Sequence, residues 1–124
     1  MESGKCVLRN KSFEFAVRIV KLYKYLSEEK KEYVISKQLL RSGTSVGANI
    51  REAYNGESKN DFIHKLGIAQ KECDESLYWL ELLEATAIIS KSQYESLQQD
   101  GIALLKMIKS SILTSKQNKE IKKS

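Results

Sequence analysis

Not one of the 124 residues is proline. Proline inside a helix removes a hydrogen bond and clashes with the preceding turn, costing about 3 kcal/mol, so a chain without it is open to helix throughout. Long helices need few interruptions, and Gly and Ser supply them here. A chain of this length fits one domain and can bury a sizeable core without disulfides or metals. Apolar residues make up 41% and charged residues 30%, which places it among globular chains and not disordered ones. Together these point to an all-α fold.

Helical periodicity organises the rest. Residues 1–11 are read as an N-terminal arm. Ser12 is a suitable cap for a first helix, with Glu14 in its first turn. Phe13, Ala16, Val17, Val20 and Tyr23 or Lys24 follow at steps of three and four, and Leu26 closes the pattern. Ser27–Lys31 is the polar turn. The second helix is expected from about Glu32 to Asn55, with Gly56 as its stop. Ile35, Leu39, Ser42, Val46, Ile50 and Ala53 fall within about 80° of one another and form its core face. Gly43 and Gly47 allow another backbone to approach closely. They also admit a loop through Gly43-Thr44-Ser45, but the core stripe stays in phase across them, which favours continuous helix.

Ser58-Lys59-Asn60-Asp61 opens the third helix with a capping-box pattern. Phe62, Leu66, Ala69, Cys73, Leu77, Leu80 and Leu83 or Glu84 mark one face, through about Ala85. Ser90-Lys91-Ser92-Gln93 opens the fourth, whose face holds Tyr94, Leu97, Gly101, Leu105, Ile108 and Ile112. This helix is expected to end at Leu113 to Lys116. The domain then spans 1–116, and residues 117–124 form a flexible lysine-rich tail. Short links between four such helices specify an antiparallel up-down-up-down four-helix bundle.

Two patterns exceed what one bundle needs. Leu40, Gly47 and Tyr54 recur every seven residues along a flank of the second helix. Ile68, Trp79 and Leu82 lie opposite the core face of the third. A helix apolar on two faces is buried on both, so these six residues are candidate oligomer contacts. Charge is also unevenly spread. Residues 1–57 carry 11 Lys/Arg against 7 Asp/Glu, residues 58–86 carry 3 against 6, and residues 87–124 carry 7 against 3. Two basic segments therefore flank an acidic one. Candidate phosphate contacts are Arg18, Lys21, Lys37, Arg41 and Arg51, with Lys116, Lys119, Lys122 and Lys123 adding to them. Arg41 is alternatively a partner of Glu52 or Glu75. The tyrosines at 23, 25, 33 and 54 follow helical spacing and suit core or interface better than base readout.

Catalytic patterns are missing from the sequence. His64 is the one histidine, and with Cys6 and Cys73 it falls short of a zinc set. No Glu-x-x-His pair supports a di-iron bundle. Gly43 and Gly47 lack the Lys-Ser/Thr of a phosphate loop. The acidic residues of the third helix suit a solvated or salt-bridged face better than acid–base catalysis. The expectation is no enzyme activity, no cofactor and no metal. No apolar stretch nears the roughly 20 residues of a membrane span. No C-x-x-C and no signal peptide are recognised, so a reduced, cytoplasmic setting is expected.

Gln38–Ala53 reads Gln-Leu-Leu-Arg-Ser-Gly-Thr-Ser-Val-Gly-Ala-Asn-Ile-Arg-Glu-Ala. With Asp61-Phe62-Ile63, Ile68-Ala69, Glu75 and Leu80, it resembles the family named for the 23S rRNA intervening-sequence protein. Arg41-Ser42, Ser45-Val46, Asn49-Ile50 and Glu52 carry the resemblance, which spans about residues 12–113. Lys71-Glu72 and Leu77 depart from it. The resemblance implies a non-enzymatic bundle assembled as a ring-like homopentamer. A related branch, the accessory proteins of diversity-generating retroelements, implies RNA or DNA and a reverse transcriptase as partners. The expected function is a homo-oligomeric scaffold with non-specific nucleic-acid binding, and the alternative is a protein–protein interaction module without nucleic acid.

Overall fold

The computed structural model of the protein describes residues 4–123, with side chains over 7–120. It contains α1 (Gly4–Glu28), α2 (Ile35–Tyr54), α3 (Lys59–Ala85) and α4 (Lys91–Lys123), and no strand among the described residues. Each helix packs on the next and α1 closes onto α4, giving the antiparallel four-helix bundle.

Helix ends follow local chemistry. α2 begins where Glu32 folds back. Its carboxylate accepts from the backbone N–H groups of Val34, Ile35 and Ser36 at 3.2, 3.0 and 2.7 Å. Those N–H groups have no partner within the helix, so the carboxylate serves as a cap three residues ahead of the first helical turn. Burial pushes the Glu32 carboxyl up, but the backbone donors of Ser36, Ile35 and Val34 outweigh it and hold the group below its ordinary value. Ser58 caps α3, accepting from Asp61 N–H at 3.1 Å. At α4, Gln93 N–H donates to Ser90 Oγ at 3.1 Å and Ser90 N–H donates to Gln93 Oε1 at 2.8 Å, a reciprocal capping box. α3 ends in a Schellman motif. Ala87 takes φ 61°, Ile88 N–H reaches Leu83 O and Ala87 N–H reaches Glu84 O, both at 2.9 Å.

Several expectations need correcting. Residues 4–11 are helical and not an arm, and residues 1–3 lie outside the described residues. Ser12 is buried inside α1, its hydroxyl donating to Arg9 O at 2.9 Å, and caps nothing. The buried stripe of α1 is Leu8, Ser12, Phe15, Ile19, Leu22 and Leu26, while Phe13 is 60% exposed. Two stripes share α1, and the one holding the larger aliphatic set wins the core. Starting the helix at Ser12 hid Leu8, which anchors that set. α4 does not stop near Lys116 but runs to Lys123, because nothing after Gly101 breaks it and Lys, Gln and Glu are good helix formers. The expected flexible tail is therefore part of this helix up to Lys123. Gly56 does not end α2 with a left-handed turn. Asn55 caps it at φ −97°, and no glycine has a positive φ among the described residues.

α2 and α3 match their expected faces closely. Leu39, Ser42, Val46, Ile50 and Ala53 face Leu66, Ala69, Cys73, Leu80 and Leu83 in one core. Helix continues unbroken through Gly43–Gly47. Gly43 is required there: an added Cβ would lie 2.8 Å from the Cγ atoms of Ile19 on α1. The small residues thus bring α1 against α2 within one chain.

Candidate interaction surfaces

The candidate phosphate contacts divide between two sides of the bundle. Arg18 lies on the α4 side of α1. Its Nη1 donates to Asp100 Oδ2 at 2.6 Å and to Ser96 O at 3.3 Å, and its Nη2 donates to Ser96 Oγ at 2.9 Å. Arg41 lies over the α2–α3 seam. Its Nη1 donates to Glu72 Oε2 at 3.0 Å and its Nη2 to Glu75, whose Oε2 also accepts from Trp79 Nε1 at 3.1 Å. Of the two partners proposed for Arg41, Glu75 is the one it meets. Glu52 pairs instead with Lys65 at 3.5 Å. Two of the five expected cations are therefore neutralised by carboxylates. Lys21, Lys37 and Arg51 are exposed and have no ion-pair partner among the described residues.

An open groove of ≈ 500 Å³ lies between α1 and α2. Ser12, Ala16, Gly47, Thr44 and Ala48 line it, Phe13 stands at its edge, and Arg9, Arg51, Glu52 and Asn55 complete the wall. Gly47 packs on Ser12 of the same chain, where an added Cβ would lie 3.4 Å from Ser12 O. Tyr54 packs on Phe62 with ring centroids 5.2 Å apart. Leu40, Gly47 and Tyr54 are half-buried and share a flank of α2, as their spacing requires, and of the three Gly47 lines the groove. Sequence reading did not include Arg9 and Phe13 among the surface residues. The second apolar stripe of α1 was the signal that could have found Phe13.

Ile68, Trp79 and Leu82 lie half-buried on the outer side of α3, apart from the groove. Beside them Tyr78 is 56% exposed and meets Trp79 edge-on at 5.0 Å. Gly67, also on this face, is exposed and an added Cβ would meet nothing within 4 Å. The six candidate contacts therefore form two surfaces and not one.

Cys73 and His64 lie in different surroundings. No group of three His, Cys, Asp or Glu side chains could hold a metal among the described residues. Cys73 is buried, its thiol pushed up to about 12 by burial and by nearby Asp74, so it resists forming a thiolate. His64 is exposed at a separate hollow of ≈ 460 Å³ with Asn60, Lys116 and Lys119. Lys119 donates to Asn60, so that lysine of the expected tail is used to hold α4 to α3. No helix is long and apolar enough to cross a membrane among the described residues.

With this geometry in place, the comparisons with known proteins are informative. Residues 5–110 match the family described as 23S rRNA-intervening sequence protein. A crystal structure of a protein of unknown function from the S23 ribosomal protein family of Bacteroides thetaiotaomicron is similar, at 55% identity and a TM-score of 0.87. The match covers 89% of this chain and 98% of that one. No curated protein matches.

Proposed function

This chain belongs to the 23S rRNA-intervening sequence protein family, and from that premise we propose that it is a homo-oligomeric scaffold that works by binding and not by catalysis. The observation that carries the reading is the apolar surface left outside a completed core. The core closes without Phe13, Val17 or Tyr78, which are 60%, 36% and 56% exposed. Phe13 and Val17 flank one side of the bundle, and Tyr78 joins Ile68 and Leu82 on another. Large apolar side chains left exposed together on one side of a fold suit a protein interface. The number of copies, five, comes from the family resemblance. A protein whose fold is coupled to assembly melts at a temperature that rises with its concentration. The melting temperature is expected to climb over about a hundredfold range of concentration, and a constant value would count against the reading.

A second activity is favoured by Lys21 and Lys37, exposed without carboxylate partners among the described residues. In an assembly these cations are repeated, and linked weak sites gain avidity. The expected result is weak, sequence-independent binding to RNA or DNA that falls steeply with salt. Fluorescence anisotropy with RNA, single-stranded DNA and duplex DNA across a salt series tests it. No binding at low salt leaves the protein-only scaffold. A reverse transcriptase is the protein partner that the related branch suggests.

A further inference from the structure

Of the glycines inside helices, Gly43, Gly67 and Gly101 behave differently. Gly43 makes room for Ile19, and Gly101 makes room for Leu77, whose Cδ2 would lie 2.7 Å from an added Cβ. Gly67 makes room for nothing within its own chain. An exposed glycine in a helix interior weakens that helix relative to alanine. The open space there lets something outside the chain approach the α3 backbone closely. Ile68, Tyr78 and Leu82 extend an apolar strip along the same outer face.

The surface best suited to cover that strip is the α1–α2 groove of another copy. Its floor is small, with Ala16, Gly47 and Ala48, and Phe13 projects at its edge. Charge selects the pairing. The groove is rimmed by Arg9 and Arg51, and its one carboxylate, Glu52, is paired with Lys65 of the same chain. The exposed side of α3 carries Asp74 and Glu81, with Lys71 as its cation, and neither carboxylate has an ion-pair partner among the described residues. Groove against groove would oppose arginines, and α3 against α3 would oppose carboxylates. Groove against α3 opposes unlike charges. Gly47 and Gly67 both lie between the Ser42–Ser76 and Glu52–Lys65 cross-links, with Gly67 nearer the second.

We propose that the α1–α2 groove of one copy receives the outer face of α3 of a second copy, with Gly67 at the closest approach. This rests on the self-assembly reading above and names its two surfaces. The contact is heterologous, because each copy offers a different surface to each neighbour. The two surfaces lie on different sides of the bundle and leave both usable at once. Repetition of such a contact produces a ring when the rotation closes.

Two substitutions at exposed positions separate the surfaces. Phe13→Glu damages the groove and leaves α3 intact. Gly67→Gln adds bulk on α3, favours helix and leaves the groove intact. Circular dichroism is expected to show wild-type helicity for both. Sedimentation velocity of the full chain is expected to show an oligomer for wild type and single chains for each variant, with association weakened about thirtyfold or more. An equal mixture of the two variants is expected to form a two-chain species and stop there, since only one intact groove–α3 contact can form. Variants that assemble like wild type would overturn the pairing while leaving self-assembly intact. Monomeric variants that fail to complement each other would overturn the head-to-tail arrangement. A wild-type monomer would overturn the self-assembly reading itself.

Discussion

The α2–α3 seam and the α1–α4 seam close the same bundle by different means. At α2–α3 the buried hydroxyls of Ser42 and Ser76 meet at 2.9 Å, Arg41 bridges Glu72 and Glu75, and Glu52 meets Lys65. Apolar layers fill the space between. At α1–α4 the described polar link is Arg18 with Asp100 and Ser96, near a hollow of ≈ 140 Å³ beside Phe15, Leu104 and Met107. One seam is tied by several polar links and the other borders a hollow. The stability of the fold should therefore be concentrated at α2–α3, leaving the α1 flank free for a role in binding.

The largest expected effect tests this directly. Leu39→Ala is expected to cost toward the upper end of about 2–5 kcal/mol, because its fully buried site cannot collapse. Leu104→Ala, beside the hollow, is expected at the lower end of about 2–5 kcal/mol. Urea melts of both variants measure the difference, and equal costs would break the comparison. Next comes the serine pair. Removing one hydroxyl costs the cross-helix bond, about 0.5–1.5 kcal/mol, because the other keeps a carbonyl of its own helix, Leu39 O or Glu72 O; Ser42→Ala with Ser76→Ala together should cost less than the sum of the single changes. A double-mutant cycle in urea checks this.

The arginines sharpen the contrast further. Arg41→Met should destabilise by about 1 kcal/mol or slightly more, because Glu72 is left poorly solvated with only 14% of its side chain exposed. Arg18→Met is expected to cost well under about 1 kcal/mol and less still in high salt, since both partners are well exposed. Melting curves at two salt concentrations distinguish them. The smallest effect concerns the caps. Glu32 holds its proton less tightly folded than unfolded, so it contributes stability above its ordinary pKa of 4.5 that is lost as pH falls through the lower folded value. The stability gap between wild type and Glu32→Gln should shrink on acidification below about pH 4.5. The neutral Ser90–Gln93 box of α4 predicts no such change for Gln93→Ala.

Legibility in the sequence followed the same contrast. α2 carries one dominant apolar stripe, and Ser42 stayed in phase with it, so its buried face could be read residue by residue. α1 carries two stripes at identical spacing. Periodicity cannot rank them, because the choice depends on what α2 and α4 present. Ser76 escaped notice for a related reason: a buried serine needs a partner, and Ser42 lies far away in sequence. Arg18 and Asp100 are likewise joined by the fold alone. Glu75 was one of two partners named for Arg41, and only the packing of α2 on α3 selects it over Glu52. The surface candidates were found as leftover apolar residues, but their division into a groove and an outer α3 face required the three-dimensional arrangement. Gly67 was legible only as an unremarked glycine until its surroundings were seen to be open.

The central claim is that a completed bundle retains apolar surface for copies of itself. Light scattering after size exclusion measures this most directly. The account predicts a mass several times that of one 14.2 kDa chain, with five chains as the value implied by the family resemblance. A mass of 14.2 kDa at micromolar concentration and low salt would contradict it.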